Sequence, residues 1–396
     1  MSRPPVSSDA VGLYVHFPFC EKKCPYCDFN SHVLPHDDAR YAEAILREIE
    51  DRADAYLNGR RFSTLYFGGG TPSLWDPRAV GRVIRAVRAR FGLGAEAEVT
   101  LEANPGTVHE ALFERFVAEG VGRFSIGAQS FVPAELIQLG RIHDAVAGER
   151  AVRAAQATGA RVSLDLIYAQ PGQRWADVAR SIERALGLAP DHLSAYTLTV
   201  EPGTPLGHKA ASGAFVPLED DAQAELIERV SASLASAGYA RYEVSSYAPP
   251  GREAVHNSLY WVGADYLGVG AGAHSHRAAA DLSSAHRRAN VKSPVEYEAR
   301  ALAGDHQPLF EETLSRREVL AERLMLGVRV RWGLDLEALG RAAGIDDLPA
   351  RVAPWIEPLI SDGLLIRRGD RVAPTDRGFL FTDGMGRRLL EAAEVL

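Results

Sequence analysis

The sequence is short of cysteine, of lysine and of long apolar runs. Its 396 residues hold three cysteines, and Cys20, Cys24 and Cys27 all lie within eight residues of one another. An odd number on so short a segment cannot build a disulfide framework. Such a cluster means metal or redox work in a reducing cytoplasm. No apolar run approaches ~18 residues, so no membrane-spanning helix is expected. The opening MSRPPVSSDA lacks the apolar segment of a secretory signal. Lysine occurs only at positions 22, 23, 209 and 292 among 44 basic residues, which reads as a bias of base composition. The net charge of −8, without a clustered basic face, argues against a nucleic-acid partner. What remains is an ordinary soluble composition, long enough for two domains or one large barrel with an appendage.

The first half of the chain alternates. Strand-like runs at Leu13 to Phe17, Thr64 to Phe67, Glu98 to Glu102, Arg123 to Gly127, Val162 to Ile167 and His192 to Leu198 are each followed by a helical pattern. Those helices are expected at Asp38 to Leu57, Pro77 to Phe91, His109 to Glu119, Ala145 to Thr158, Trp175 to Leu188 and Leu218 to Ala237. In the first, Tyr41, Ile45, Leu46 and Ile49 form one apolar stripe. A seventh strand is expected at Arg241 to Ser246. Six βα units predict an α/β fold with a parallel sheet and helices outside. Right-handed crossovers allow either a doubly wound sheet or a partial barrel. Polar residues at five successive strand ends favour the barrel, because barrel sites are built on that rim: Gly68 to Thr71, Glu102, Gln129, Asp165, and Tyr196 with Thr197.

Three regions are expected: a partial (β/α)6 barrel over 1–250, a Gly- and His-rich segment without clear period over 251–305, and a helical unit over 306–396. The last reads as helices at Ser315 to Gly327, Leu334 to Gly344 and Ala350 to Asp362, a hairpin about Gly369-Asp370, and a final helix from about Asp376 towards Leu396. This order is winged-helix-like. With the acidic charge it is expected to be a lid or docking unit.

Cys20-x3-Cys24-x2-Cys27 follows directly on the first strand. Three thiolates on one loop can ligate three irons of a [4Fe-4S] cubane, leaving the fourth open to a small chelating molecule. Lys22 and Lys23, inside the loop, offset the negative charge of such a cluster. The alternative is a structural zinc site completed by His16, His32 or His36.

The segment LYVHFPFCEKKCPYCDFNSH closely resembles the signature of the radical S-adenosylmethionine superfamily. GGGTPS at 68–73, LEANPGT at 101–107, SIGAQSF at 125–131, LGRIH at 139–143, SLDLIY at 163–168 and HNSLYW at 256–261 narrow the resemblance to the coproporphyrinogen-oxidase-like branch and its HemW heme-chaperone subfamily. The resemblance implies a [4Fe-4S] cluster on Cys20, Cys24 and Cys27, with S-adenosylmethionine chelating the open iron. It further implies contacts to that ligand from Tyr14, Tyr26, Gly69, Gly70, Thr71, Glu102, Gln129, Arg141 and Asp165. Glycine suits close backbone approach, a carboxylate suits a ribose diol, and the forked guanidinium of Arg141 suits the ligand carboxylate. His256, Tyr260 and Trp261 are implied as a heme-binding element, with His274 and His276 as second-choice ligands.

The implied function is a heme chaperone passing heme to an acceptor protein, with an electron donor such as a flavodoxin or ferredoxin serving the cluster. The competing function within the branch is an oxygen-independent coproporphyrinogen III oxidase of porphyrin biosynthesis. That enzyme's signature carries a further cysteine two residues after the third, where this chain has Asp28-Phe29-Asn30. It also has a longer segment before its first strand. Both differences favour the chaperone.

Overall fold

A computed structural model describes residues 3–392 of the chain. Six parallel strands lie side by side in sequence order: β1 (Val11–Phe17), β2 (Phe62–Gly69), β3 (Glu98–Ala103), β4 (Arg123–Gln129), β5 (Arg161–Tyr168) and β6 (His192–Thr197). A doubly wound sheet reverses its order at a switch point. The unbroken order 1 to 6 therefore selects the open partial barrel.

The pleat decides what faces where. Leu13, Val15, Leu65, Phe67, Leu101, Phe124, Ile126, Val162 and Leu164 point outward and are fully buried under the helices. The helix Asp38–Leu57 covers this surface with the expected stripe; Tyr41, Ile45 and Ile49 are fully buried. Asp37 caps its start by accepting the N–H groups of Ala39 and Arg40, and Asn58, at φ 43°, closes its end. Each large apolar side chain buried this way contributes about 1.5–3 kcal/mol. The alternate strand positions, among them Tyr66, Thr100, Glu102, Ser125, Ser163, Asp165 and Ser194, turn into the barrel and line one cavity. Polar side chains continue down the lumen and are not confined to its rim.

The expected seventh strand, Arg241 to Ser246, is corrected. The segment splits into β7 (Ala240–Arg241) and β8 (Ser246–Ala248), an antiparallel pair. β8 also runs antiparallel to β6 and ends the parallel run. The turn is held by the Glu243 carboxylate, which accepts the N–H of Ser245. The aperiodic stretch is also structured. It holds a helix, Val255–Trp261, and the strands β9 (Asp265–Val269), β10 (His274–Ala278) and β11 (Ser284–Ala289). β9 pairs parallel to the free edge of β1, and β10, β11 and β12 (Phe310–Ser315) continue antiparallel.

A buried ion pair locks this extension to the barrel. The Glu48 carboxylate accepts from Arg52, Asn290, the Gly270 N–H and the Tyr297 hydroxyl. Arg52 also donates to the Gly268 carbonyl and to Ser275. A buried pair is tolerable only when so fully hydrogen-bonded.

The last part of the chain has its own apolar cluster, including Leu324, Leu348, Val352, Ile356 and Leu389. Helices Arg316–Gly327, Leu336–Ala343, Leu348–Ser361 and Thr382–Ala392 surround a small sheet of β13 (Leu334–Asp335), β14 (Leu365–Arg368) and β15 (Arg371–Pro374). The hairpin turns at Gly369 and Asp370 as expected, and Ser315 with Glu318 forms a capping box. The final helix starts later than expected, after a 3-10 turn at Gly378–Phe381, and positions 393–396 lie outside the described residues.

Candidate cofactor site

The cysteine loop is closed at its neck. Cys20 N–H donates to the His32 carbonyl at 2.9 Å, and His32 N–H to the Pro18 carbonyl at 2.7 Å. The glycine run after β2 is bonded to the same base. Gly70 N–H reaches the Phe17 carbonyl at 2.8 Å, and Thr71 N–H the Phe19 carbonyl at 2.9 Å. A β-carbon at position 70 would lie 2.6 Å from the Phe19 oxygen. Gly69, at φ 119°, would place one 2.6 Å from the His16 ring. The protein's own packing thus requires these glycines before any ligand arrives.

Cys20, Cys24 and Cys27 border a cavity of about 390 Å³ over the barrel mouth, with Tyr26, Glu102, Gln129, Arg141 and Asp165 around it. The Thr71 hydroxyl donates to Cys20 Sγ at 3.3 Å, and Arg141 lies 3.5 Å from Cys24 Sγ and 3.4 Å from the Tyr26 hydroxyl. Burial pushes the Cys20 and Cys27 thiols up, against the hydrogen bond from Thr71 to the first and the Phe29 backbone near the second. Metal binding here must displace thiol protons and will tighten as pH rises. Burial works against the Arg141 charge, but the neighbouring Tyr26 and Cys24 raise its pKa overall.

Glu102 accepts the Tyr66 hydroxyl at 2.8 Å and the Gly69 N–H at 3.0 Å. Burial nevertheless pushes its carboxyl to about 7. Asp165, raised by burial too, accepts from Ser125 at 2.9 Å.

The residues fit the cofactors of the resemblance by what they leave unused. Gln129 Oε1, Arg141 Nε and Thr100 Oγ1 are buried without a partner, although buried polar atoms are normally satisfied. Gln129 moreover sits at φ 66° at the end of β4, a cost of order 1–3 kcal/mol that surrounding structure must hold in place.

The zinc alternative fits less well. Among the described residues, no three His, Cys, Asp or Glu side chains gather closely enough for one ion. His16 is occupied by the Asn30 carbonyl and the Tyr14 hydroxyl. His32 bonds Asn30, and His36 pairs with Asp38. A cubane instead takes each thiolate on a different iron.

Tyr14 is not on the cavity wall. Its ring stacks on Tyr66 beneath the cavity and its hydroxyl lies 3.0 Å from His16. Tyr66, Ser125 and Ser194 also belong to the site, on the lumen wall below the strand ends that the sequence singles out. The alternation in VTLE, RFSIG and VSLDL is the signal that would have found the lumen face.

The HNSLYW segment forms the helix Val255–Trp261 at the opposite end of the lumen. Glu98, at the start of β3, accepts the N–H groups of Val255 and His256. His256 is 1% exposed. Its Nδ1 lies 2.7 Å from the Thr64 hydroxyl and its Nε2 3.0 Å from the Tyr260 hydroxyl, so neither ring nitrogen is free. Burial lowers its pKa to about 3. Trp261 faces a separate cleft of about 1280 Å³. His274 is exposed and His276 buried on β10.

Residues 14–185 match the radical SAM superfamily model and 314–381 the HemN C-terminal domain model. A heme chaperone HemW of Mycobacterium tuberculosis is 38% identical over 98% of this chain and 96% of its own length. The HemW of Escherichia coli is 44% identical over 68% of this chain and 70% of its own. Among solved structures, the radical SAM enzyme coproporphyrinogen III oxidase (HemN) from Escherichia coli superposes with a TM-score of 0.79. It covers 96% of this chain and 90% of that one at 24% identity, a likeness of fold.

Proposed function

The chain belongs to the radical SAM superfamily and to its HemW branch, and from that membership we propose that it binds heme and delivers it to an acceptor protein. The observation that carries this reading is the match to a named heme chaperone along almost the whole length of both chains. The competing oxidase reading rests on fold and on the shared branch. It lacks the cysteine that would stand where Phe29 stands.

In this reading Cys20, Cys24 and Cys27 hold a [4Fe-4S] cluster, and S-adenosylmethionine occupies the 390 Å³ cavity beside it. When bound, the pair supplies one-electron reductive cleavage of the sulfonium. The chain's own residues do the positioning. Arg141 presents a buried guanidinium to the ligand carboxylate, and Glu102 and Asp165 present acceptors to the ribose. Gly69 and Gly70 hold the loop under the cysteines, and the closed lower end of the barrel keeps bulk water from entering there.

The reading includes an acidic electron donor such as a flavodoxin or ferredoxin. Lys22 and Lys23 are exposed on the cysteine loop. Lys292 offers its carbonyl to Asn30 of that loop, and Lys209 lies on the helix Pro205–Ala211, whose Leu206 N–H bonds Pro25. The four lysines of an acidic chain thus sit on or beside the cluster loop, a charge complement for an acidic partner. Three free cysteines fit a reducing cytoplasm, and no helix among the described residues is long and apolar enough to cross a membrane.

The test uses one anaerobically reconstituted sample. It is expected to bind one heme per chain and to leave coproporphyrinogen III intact in the presence of S-adenosylmethionine and reductant. Robust decarboxylation would overturn the chaperone reading in favour of the oxidase.

A further inference from the structure

Thr71 stands at the start of a turn that it does not cap. It precedes the 3-10 turn Pro72–Leu74, at φ −145° and ψ 81°, and its side chain makes no bond to that turn. A threonine so placed ordinarily directs its hydroxyl to the free N–H groups ahead of it. Here the hydroxyl donates to Cys20 Sγ instead, at 3.3 Å and across 51 positions of sequence.

The backbone around this contact is fixed on both sides. Thr71 is 7% exposed. Its N–H donates to the Phe19 carbonyl at 2.9 Å, and its own carbonyl accepts the Leu74 N–H at 2.9 Å. Phe19 is the neighbour of Cys20, whose N–H is held by the His32 carbonyl. Donor and sulfur therefore hang from one hydrogen-bonded frame. Pro72 restricts the residue before it to extended backbone, and β-branching leaves the threonine few χ1 wells.

Arg141 makes a different kind of sulfur contact. It lies 3.5 Å from Cys24 Sγ but is shared with the Tyr26 hydroxyl and the Gly127 carbonyl, and in the proposed reading it turns to the ligand carboxylate. The Thr71 hydroxyl has no second partner among the described residues. A donor on a ligating sulfur bears on the electron affinity of the iron–sulfur group that the sulfur holds. Reduction adds one negative charge, and a hydrogen bond to sulfur stabilises the more negative form more. Burial keeps water from screening that difference.

We propose that the Thr71 hydroxyl is a tuning donor, which acts through Cys20 to raise the reduction potential of the cluster and so ease its reduction by a donor protein. This inference rests on the reading that Cys20, Cys24 and Cys27 hold a [4Fe-4S] cluster. It gives Thr71 a role separate from the S-adenosylmethionine contact implied by the resemblance, because the hydroxyl engages the sulfur before any ligand binds.

The test is a redox titration of the anaerobically reconstituted full chain without S-adenosylmethionine, followed by the paramagnetic resonance of the reduced cluster. It compares wild type with Thr71→Val, Thr71→Ala and Thr71→Ser, and iron and sulfide content checks the loading of each. Thr71→Val, close to threonine in shape but without the hydroxyl, should favour the oxidised form about tenfold, a fall of about 59 mV for one electron. Thr71→Ala should fall in the same direction, and Thr71→Ser, which keeps the donor, should stay close to wild type. Unmoved potentials in both hydroxyl-free variants would overturn the proposal, since a contact made only to S-adenosylmethionine cannot act in its absence. An equal fall in Thr71→Ser would also overturn it, by tracing the shift to packing. Loss of the cluster from both hydroxyl-free variants, with Thr71→Ser fully loaded, would replace tuning by a role in assembly. Wild type without iron and sulfide would instead overturn the cluster reading, and this role with it.

Discussion

At the upper rim of the barrel, Gln129, Arg141 and Thr100 face the cofactor cavity with polar atoms left over. At the lower end, both ring nitrogens of His256 and both carboxylate oxygens of Glu98 are engaged by the protein itself. Both ends are polar and both are largely buried. The first offers donors and acceptors to a ligand, and the second closes the lumen. Buried polar groups without partners cost roughly 1–3 kcal/mol each. Polarity and burial alone therefore do not distinguish a binding site from a plug; what sets the rim apart is that Gln129, Arg141 and Thr100 turn their unpaired atoms about one cavity.

The largest expected effect is at the rim. Cys24→Ala should abolish assembly of the cluster, measured as iron and inorganic sulfide after anaerobic reconstitution, because no other cysteine exists to replace it. Stoichiometric zinc without sulfide in the wild-type protein would erase the contrast between the two ends, making both structural.

Next comes the plug. His256→Ala leaves the Thr64 and Tyr260 hydroxyls facing a void, which should cost about 2–4 kcal/mol in urea unfolding. Cluster content should remain unchanged. A loss of cluster without loss of stability would mean that the two ends are coupled.

Glu102 sharpens the comparison through pH. Its carboxyl is held at about 7, above ~4.3 for an exposed glutamate. Folding thus favours the protonated form. Its stabilisation is complete at acid pH below the unfolded value and is lost as pH rises through about 7. Without ligand, wild type should lose about 1–3 kcal/mol relative to Glu102→Gln between pH 5 and 8, read from urea midpoints. S-adenosylmethionine, which in the proposed reading takes the carboxylate as acceptor, should bind more weakly to both wild type at pH 5.5 and Glu102→Gln at pH 8.

The smallest effect is expected at Tyr66→Phe. It removes one of two donors to Glu102, worth about 1 kcal/mol, and should move the Glu102 titration upward. An unmoved titration would show that the Gly69 N–H alone holds the carboxylate.

Much of the rim is legible in the sequence. The cysteine spacing, the glycine run and the polar residues at successive strand ends all follow the chain locally, and the period of each element turns sequence position into spatial position. The lower end was not legible. Its helix is only seven residues long, too short for a period to show, and one of the histidine's two partners, Thr64 on β2, lies 192 positions away in the sequence. The strands β10 and β11 were equally hidden, because the His, Arg, Ser and Ala at their positions carry none of the apolar alternation that marks a strand.

By itself the sequence determined the βα repeat, the three-thiolate loop and the set of polar groups available to a cofactor, since each depends on neighbours a few residues away. The tertiary structure alone decided which of those groups meet. It set the strand order that makes an open barrel, the edge pairing of β9 with β1 and the seating of Glu48 under Gly270. It also left His256 satisfied and set the Thr71 hydroxyl on Cys20. Hydrogen bonds between residues about two hundred positions apart have no local signature, and it is those bonds that separate a closed end from a binding site.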